Sequence, residues 1–178
     1  PDRLSGRARR FEAGSDRIAC LQSPLMIDNV AASWLARLFA IEYDTLFRGI
    51  LPTLARWGAP IPLGGTSNHF ITKVLRDTHG WDAYNVTEDC DLGVRLCRGG
   101  HTVRMLETTT WEEACGSFPF WIRQRTRWQK GYIQTWLVHM RRPLTLVREL
   151  GWMNFMHFQL LVGGVIFSSL INPIFWAM

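Results

Sequence analysis

At 178 residues with 47% hydrophobic side chains, the chain is long enough for one domain with its own core, which excludes an extended, unfolded protein. Its formal charge of +5 is unevenly placed: Phe118–Leu150 holds seven Lys or Arg (Arg123, Arg125, Arg127, Lys130, Arg141, Arg142, Arg148) against the single acid Glu149. A basic stretch of that kind suits phosphate, on a nucleotide, a lipid headgroup or a nucleic acid.

Taken in chain order, Pro1–Arg10 is polar and basic with no apolar stretch and no initiator Met. It does not read as a signal peptide, and the chain is expected to be a piece of a longer protein. Leu4–Phe11 predicts a short helix and Asp16–Gln22 a strand, ended by Ser23-Pro24. From Asn29 to about Trp57, apolar residues recur every three or four positions. This predicts an amphipathic helix capped by Asp28 or Asn29 and bent or broken at Pro52. Pro60–Asn68, with its prolines and Gly64-Gly65, is a loop or strand edge where backbone approaches something closely. Phe70–Arg76 starts a short element that stops at Gly80. Thr87 is placed to cap a helix over Glu88–Cys97, with acids in its first turn and Gly99-Gly100 beyond its end. Thr102–Leu106 predicts a short buried strand, and Glu112-Glu113 a polar turn.

Phe118–Met140 predicts a long helix with Pro119 in its first turn. Its basic residues lie beside a broad aromatic and aliphatic surface, as in a helix lying at a membrane interface. Phe155–Met178 has no Asp, Glu, Lys or Arg and is long enough to cross about 30 Å of hydrocarbon. With Arg141, Arg142 and Arg148 just ahead of it, the positive-inside rule keeps the preceding domain cytoplasmic. The four cysteines (Cys20, Cys90, Cys97, Cys115) show no C-x-x-C spacing and no neighbouring His at zinc-ligand distance, and read as reduced, buried thiols. The five histidines are scattered and read as local hydrogen-bonding residues.

Two motifs carry chemistry. Thr87-Glu88-Asp89 puts carboxylates at a helix start, where an ionised Asp can accept a proton from a hydroxyl as a new bond forms; the same residues also serve as an ordinary cap. Asp91 reads as solvent-facing or paired with Arg95 one turn on. Gln124-Arg125-Thr126-Arg127-Trp128 offers a guanidinium fork for a diphosphate, an indole face for the C–H face of a sugar and an amide for a hydroxyl. A plain basic amphipathic helix gives the same pattern, and Arg125 need not point the same way. Gly64–Asn68 lacks the Gly-Lys-Ser/Thr of a P-loop.

In order, T-E-D and Q-x-x-R-W, with a Gly-Gly-Thr-Ser loop before them and an apolar segment after them, resemble the processive family-2 glycosyltransferases. That group contains bacterial cellulose synthase catalytic subunits and related membrane β-glycan synthases. The resemblance implies an α/β fold: the C-terminal part of a GT-A domain with a Rossmann-like mixed sheet (1–117), an interfacial helix region with the Q-x-x-R-W motif (118–150) and a truncated transmembrane helix (151–178). It implies an inverting hexosyltransferase at the bacterial inner membrane, catalytic domain facing the cytoplasm. The donor would be a nucleotide sugar such as UDP-glucose, and the acceptor a growing β-linked glycan. Asp89 would be the catalytic base, and Glu88 and Thr87 would shape its surroundings. Gln124, Arg127 and Trp128 would line the acceptor and diphosphate site, with Gly65 and Thr66 near the terminal acceptor sugar. The Mg²⁺ or Mn²⁺ of this family needs an Asp-x-Asp pair, expected upstream of Pro1, and this chain alone is expected to be inactive. A relative adding single sugars to lipid or protein is the enzyme alternative; a lipid-binding scaffold leaves Thr87–Asp91 unused, and nucleic-acid binding is disfavoured beside a membrane segment.

Overall fold

The computed structural model describes residues 17–177, so the helix expected at Leu4–Phe11 lies outside the described residues. Strand β1 (Ile18–Gln22) is buried along its whole length, as its apolar run requires when both faces of a sheet are covered. It is the centre of a three-stranded mixed sheet, antiparallel to β3 (Asn68–Phe70) and parallel to β4 (Thr102–Met105). A second, parallel pair joins β2 (Leu25–Ile27) to β5 (Thr110–Glu112). Strands β2, β3 and β5 are each three residues long, too short for alternation to announce them.

The helix expected over 29–57 is three helical pieces in line: α1 (Trp34–Asp44), a π turn (Thr45–Ile50) and α2 (Leu51–Trp57). Its cap is neither Asp28 nor Asn29. Ser33 Oγ accepts from the Ala36 N–H at 3.0 Å, while the Asn29 amide grips Ala114 in both directions, donating to its carbonyl at 3.0 Å and accepting from its N–H at 2.8 Å. Pro52 does not break the helix. It falls in the first turn of α2, just after the π turn has shifted the register so that the Leu51 N–H reaches Leu46 O, and a proline in a first turn forfeits little. The short α3 (Thr72–Asp77) is capped by Thr78 and followed by Gly80, which has a positive φ of 62°.

Helix α4 (Glu88–Arg98) is the centre of the molecule, and seven of its eleven residues are buried. Leu92 and Leu96 pack with Cys20, Leu51, Leu54 and Ile61. On the other side, Cys90, Val94 and Cys97 meet Leu146, Leu150, Phe158 and Val162. Gly93 lets the Pro60–Leu63 segment cross the helix, since a Cβ there would stand 1.8 Å from the Ile61 carbonyl oxygen. Burial pushes the Cys97 thiol up to about 11, which leaves it a small apolar packing group at neutral pH.

The remaining helices are α5 (Phe118–His139), α6 (Pro143–Phe158), a π turn (Gln159–Gly163) and α7 (Gly164–Ala177). Pro143–Asn172 is long and apolar enough to cross a membrane by length and composition. Within it, Gly151 takes φ 76°, ψ 160° and breaks the helical path. The helical path therefore restarts at Trp152, slightly before the expected Phe155, and runs about 39 Å to Ala177 at 1.5 Å per residue. It lies antiparallel to α5, with Trp136 Nε1 donating to Gln159 Oε1 at 2.8 Å and Gln129 meeting Ser169.

Candidate functional site

The buried stripe of α5 is not its aromatic surface but Gly131, Thr135 and His139, one residue per turn on a single face. Each meets the start of α4 or the turn before it. A Cβ on Gly131 would come within 2.3 Å of the Thr87 hydroxyl and methyl. Thr135 Oγ1 accepts from Asn85 Nδ2 at 2.9 Å. His139 Nε2 stands 3.0 Å from Asp91 Oδ1, and its Nδ1 2.9 Å from Arg98 Nη1. A guanidinium can only donate, so Nδ1 accepts and Nε2 carries the proton given to Asp91. This seam sets the register between the helix carrying Asp89 and the helix carrying Gln124, Arg127 and Trp128.

The seam also corrects one expectation and decides another. Thr87 makes no side-chain cap: with φ −123°, ψ 63° it is pressed against Gly131, and its buried hydroxyl has no partner among the described residues. The local donors go elsewhere, the Thr87 N–H to Asn85 Oδ1 at 3.0 Å and the Cys90 N–H to Asp89 Oδ1 at 2.7 Å. Asp91 takes the second of its two expected readings, paired with Arg95, and does not face solvent. It is buried, and besides His139 it accepts from Arg95 Nε at 2.7 Å. Burial alone would raise its carboxyl, but these hydrogen bonds outweigh it and hold it below the ordinary carboxylate range.

On the open side of the seam is a cleft of about 390 Å³. Gly65, Thr66, Glu88, Asp89, Gln124, Arg127 and Trp128 all line it, so these seven residues from three stretches of sequence are brought to one place. Gly65 belongs there because its backbone passes close to the carboxylate: a Cβ would lie 3.4 Å from Asp89 Oδ2. The loop is held by Gln22, a fully buried amide that accepts from the Gly64 N–H at 2.9 Å and donates to Thr66 O at 3.1 Å. Gln22 was not foreseen, since a lone glutamine at a strand end gives no signal in sequence.

Asp89 is half-buried. Its carboxyl is raised above the ordinary range by burial first and by the charge of Glu88, while the Cys90 N–H and the Arg127 charge pull the other way. Arg127 has no hydrogen bond or ion pair among the described residues, so its fork of donors is free for an anion. Arg125 does point elsewhere. It pairs with both oxygens of Glu42, and its guanidinium lies over the rings of Phe39 and Trp128 at 4.7 and 4.8 Å. Trp128 is further steadied by Phe39, edge to face at 6.0 Å. Gln124 Oε1 receives a weak contact from Cys115 Sγ at 3.6 Å.

Three lining residues were missed from sequence: Tyr43, Tyr132 and Glu112. Glu112 is not in a turn. It is the last residue of β5, paired in register with Ile27. Burial raises its carboxyl, and burial with Glu112 nearby raises the Tyr43 phenol, which therefore keeps its proton.

A mixed α/β domain with a carboxylate, an arginine and an indole around such a cleft has the parts for moving a sugar between oxygens. The chain matches glycosyl transferase family group 2 over residues 1–178 and belongs to that family. It is also similar to the probable glycosyltransferase YdaM of Bacillus subtilis (strain 168), 30% identical over 153 residues. That stretch is 80% of this chain and 35% of YdaM, so the chain spans about a third of that relative's length.

Proposed function

We propose that this chain forms the acceptor side of an inverting hexosyltransferase of the processive, cellulose-synthase-like branch, built on a GT-A domain at the cytoplasmic face of a membrane. It would draw hexose from a nucleotide sugar such as UDP-glucose and extend a β-linked glycan. The observation that carries this reading is the convergence of Asp89, Arg127 and Trp128, from two helices, on one cleft.

In this reading the acceptor sugar lies along the indole of Trp128, its apolar C–H face against the ring. Its nucleophilic hydroxyl approaches Asp89. The hydroxyl is too weak an acid to ionise beforehand, so the carboxylate accepts the proton as the new glycosidic bond forms, a contribution of about 10²–10⁴ in rate. The raised carboxyl of Asp89 strengthens it as a base, at the cost of a higher pH at which it becomes ionised. Arg127 steadies the departing diphosphate, and its charge favours the ionised form of Asp89 against the effect of burial. Attack from one side and departure from the other invert the anomeric carbon without a covalent enzyme intermediate.

Among the described residues, no group of three or more His, Cys, Asp or Glu is placed to hold a metal ion. The Mg²⁺ or Mn²⁺ that the family resemblance implies is proposed to be held by an Asp-x-Asp pair upstream of Pro1, so residues 1–178 alone are proposed to lack turnover, and no step here passes through the ion. Membrane attachment draws on the apolar Trp152–Ala177 path, and on the exposed Phe118, Phe120 and Ile122 of α5, which lie at the same end of the antiparallel pair as Ile171 and Phe175.

The test is product size. The intact protein in vesicles, given a nucleotide hexose and a short acceptor, is expected to make a ladder of lengthening glycans. A single added sugar would overturn the processive branch, and no transfer from any nucleotide hexose would overturn the enzyme reading.

A further inference from the structure

Glu112 is the one carboxylate of the cleft that the proposed chemistry leaves idle. The residue is half-buried and its carboxylate makes no hydrogen bond or ion pair among the described residues, although it lines the same space as Asp89, Gln124, Arg127 and Trp128. An acid removed from water without a partner is costly, yet the strand that presents it is held at both ends. At its start, Thr110 Oγ1 shares a 2.7 Å hydrogen bond with Ser67 of the Gly-Gly loop. At its end, Glu112 O accepts from the Asp28 N–H at 2.9 Å, and two residues on the Asn29 amide grips Ala114. A carboxylate fixed by backbone and left open toward a cleft is preorganised for something that enters it.

The charge of the cleft narrows what that is. Among the described residues, Glu88, Asp89 and Glu112 share the lining with one cation, Arg127. A diphosphate is drawn to Arg127 and repelled by Glu112, so Glu112 does not serve the donor's anionic part. A carboxylate presents two acceptor oxygens, which suit two adjacent hydroxyls of a neutral pyranose. An acceptor ending in a hexuronic acid would bring a fourth negative charge into the same space.

Building on the glycosyltransferase reading above, we propose that Glu112 is a specificity-determining residue that grips vicinal hydroxyls of the terminal acceptor sugar, and that this sugar is uncharged. The Tyr43 hydroxyl, protonated and lining the same wall, supplies a second polar contact from α1. Glu112 and Asp89 thus divide the work, one orienting the ring and the other taking the proton.

The test compares Glu112→Gln and Glu112→Asp in the intact protein, using a neutral β-linked hexose oligosaccharide and the same oligosaccharide ending in a hexuronic acid. Glu112→Gln should raise the acceptor KM about ten- to a hundredfold, the loss of a hydrogen bond to a charged group, with donor KM unchanged. Glu112→Asp should fall between, and the unaltered protein should prefer the neutral acceptor at least tenfold. An acceptor KM within twofold of the original in Glu112→Gln would overturn the proposal, as would equal use of both acceptors. A parallel rise in donor KM in both variants would also count against it, marking Glu112 as a structural residue. Asp89→Asn is run alongside: transfer at the original rate in that variant would sink the assignment of Asp89 as base, and no transfer by the unaltered protein would sink the underlying enzyme reading instead.

Discussion

Seven of the eleven residues of α4 are buried, whereas Ile166 is the single buried side chain of α7 among the described residues. The two helices are positioned differently. Helix α4 is held by directional contacts: Asp91 to His139 and Arg95, Arg95 in turn to the carbonyls of Thr78 and Gly80, and Gly93 beneath the Ile61 backbone. Helix α7 has the Gln159–Trp136 and Gln129–Ser169 contacts near or within one face, and presents Phe167, Leu170, Ile171 and Phe175 outward. The proposed base is carried where geometry has little freedom, and the apolar length is carried where a bilayer would supply the missing packing.

The contrast is broken most severely at Gly93. A methyl group 1.8 Å from a backbone oxygen has no flexible neighbour to displace. Gly93→Ala should therefore cost about 3 kcal/mol or more and lower the melting temperature by many degrees, as calorimetry would register.

Next come the two aspartates, two residues apart and opposite in sign. Asp91 lies below its ordinary range when folded, so it stabilises the fold above its unfolded pKa, and that contribution is lost as pH falls through the folded value. Asp91→Leu should cost about 3–5 kcal/mol at neutral pH, because Arg95 and His139 lose their buried partner. Asp89 lies above its ordinary range, so its charge weakens the fold at neutral pH. Asp89→Asn should raise the denaturant midpoint slightly at pH 7. A fall in that variant would contradict the sign.

A smaller effect sharpens the same point through pH. On the proposed role of Asp89, the acidic limb of the rate profile should follow its ionisation. Removing the opposing charge in Arg127→Gln should move that limb to higher pH, and removing the like charge in Glu88→Gln should move it lower. Shifts in the same direction would show that neither charge acts on Asp89. Smallest of all, Leu160→Gln changes a residue 70% exposed. It should leave transfer in detergent unchanged while weakening retention on vesicles, measured by flotation.

Long, periodic elements were legible in the sequence. Strand β1, the 29–57 helical run, α4 and α5 fall within a few residues of where spacing places them, because hydrophobic period and turn residues act locally. What spacing does not carry is partner choice. Ser33 rather than Asn29 caps α1 because Asn29 is claimed by Ala114 from across the chain. Thr87 fails as a cap because Gly131 brings α5 against it. The Thr-Glu-Asp and Gln-x-x-Arg-Trp residues stood out as motifs, and the structure sets them around one cleft. Glu112 and Gln22 did not stand out, since a three-residue strand and a buried strand-end amide acquire meaning from what folds onto them.

Asp89→Asn in the intact protein tests the central claim most directly, with transfer and nucleotide-sugar binding measured on the same preparation. The account predicts that transfer falls at least a hundredfold while donor affinity stays within a fewfold of the original. Transfer persisting near its original rate would contradict it.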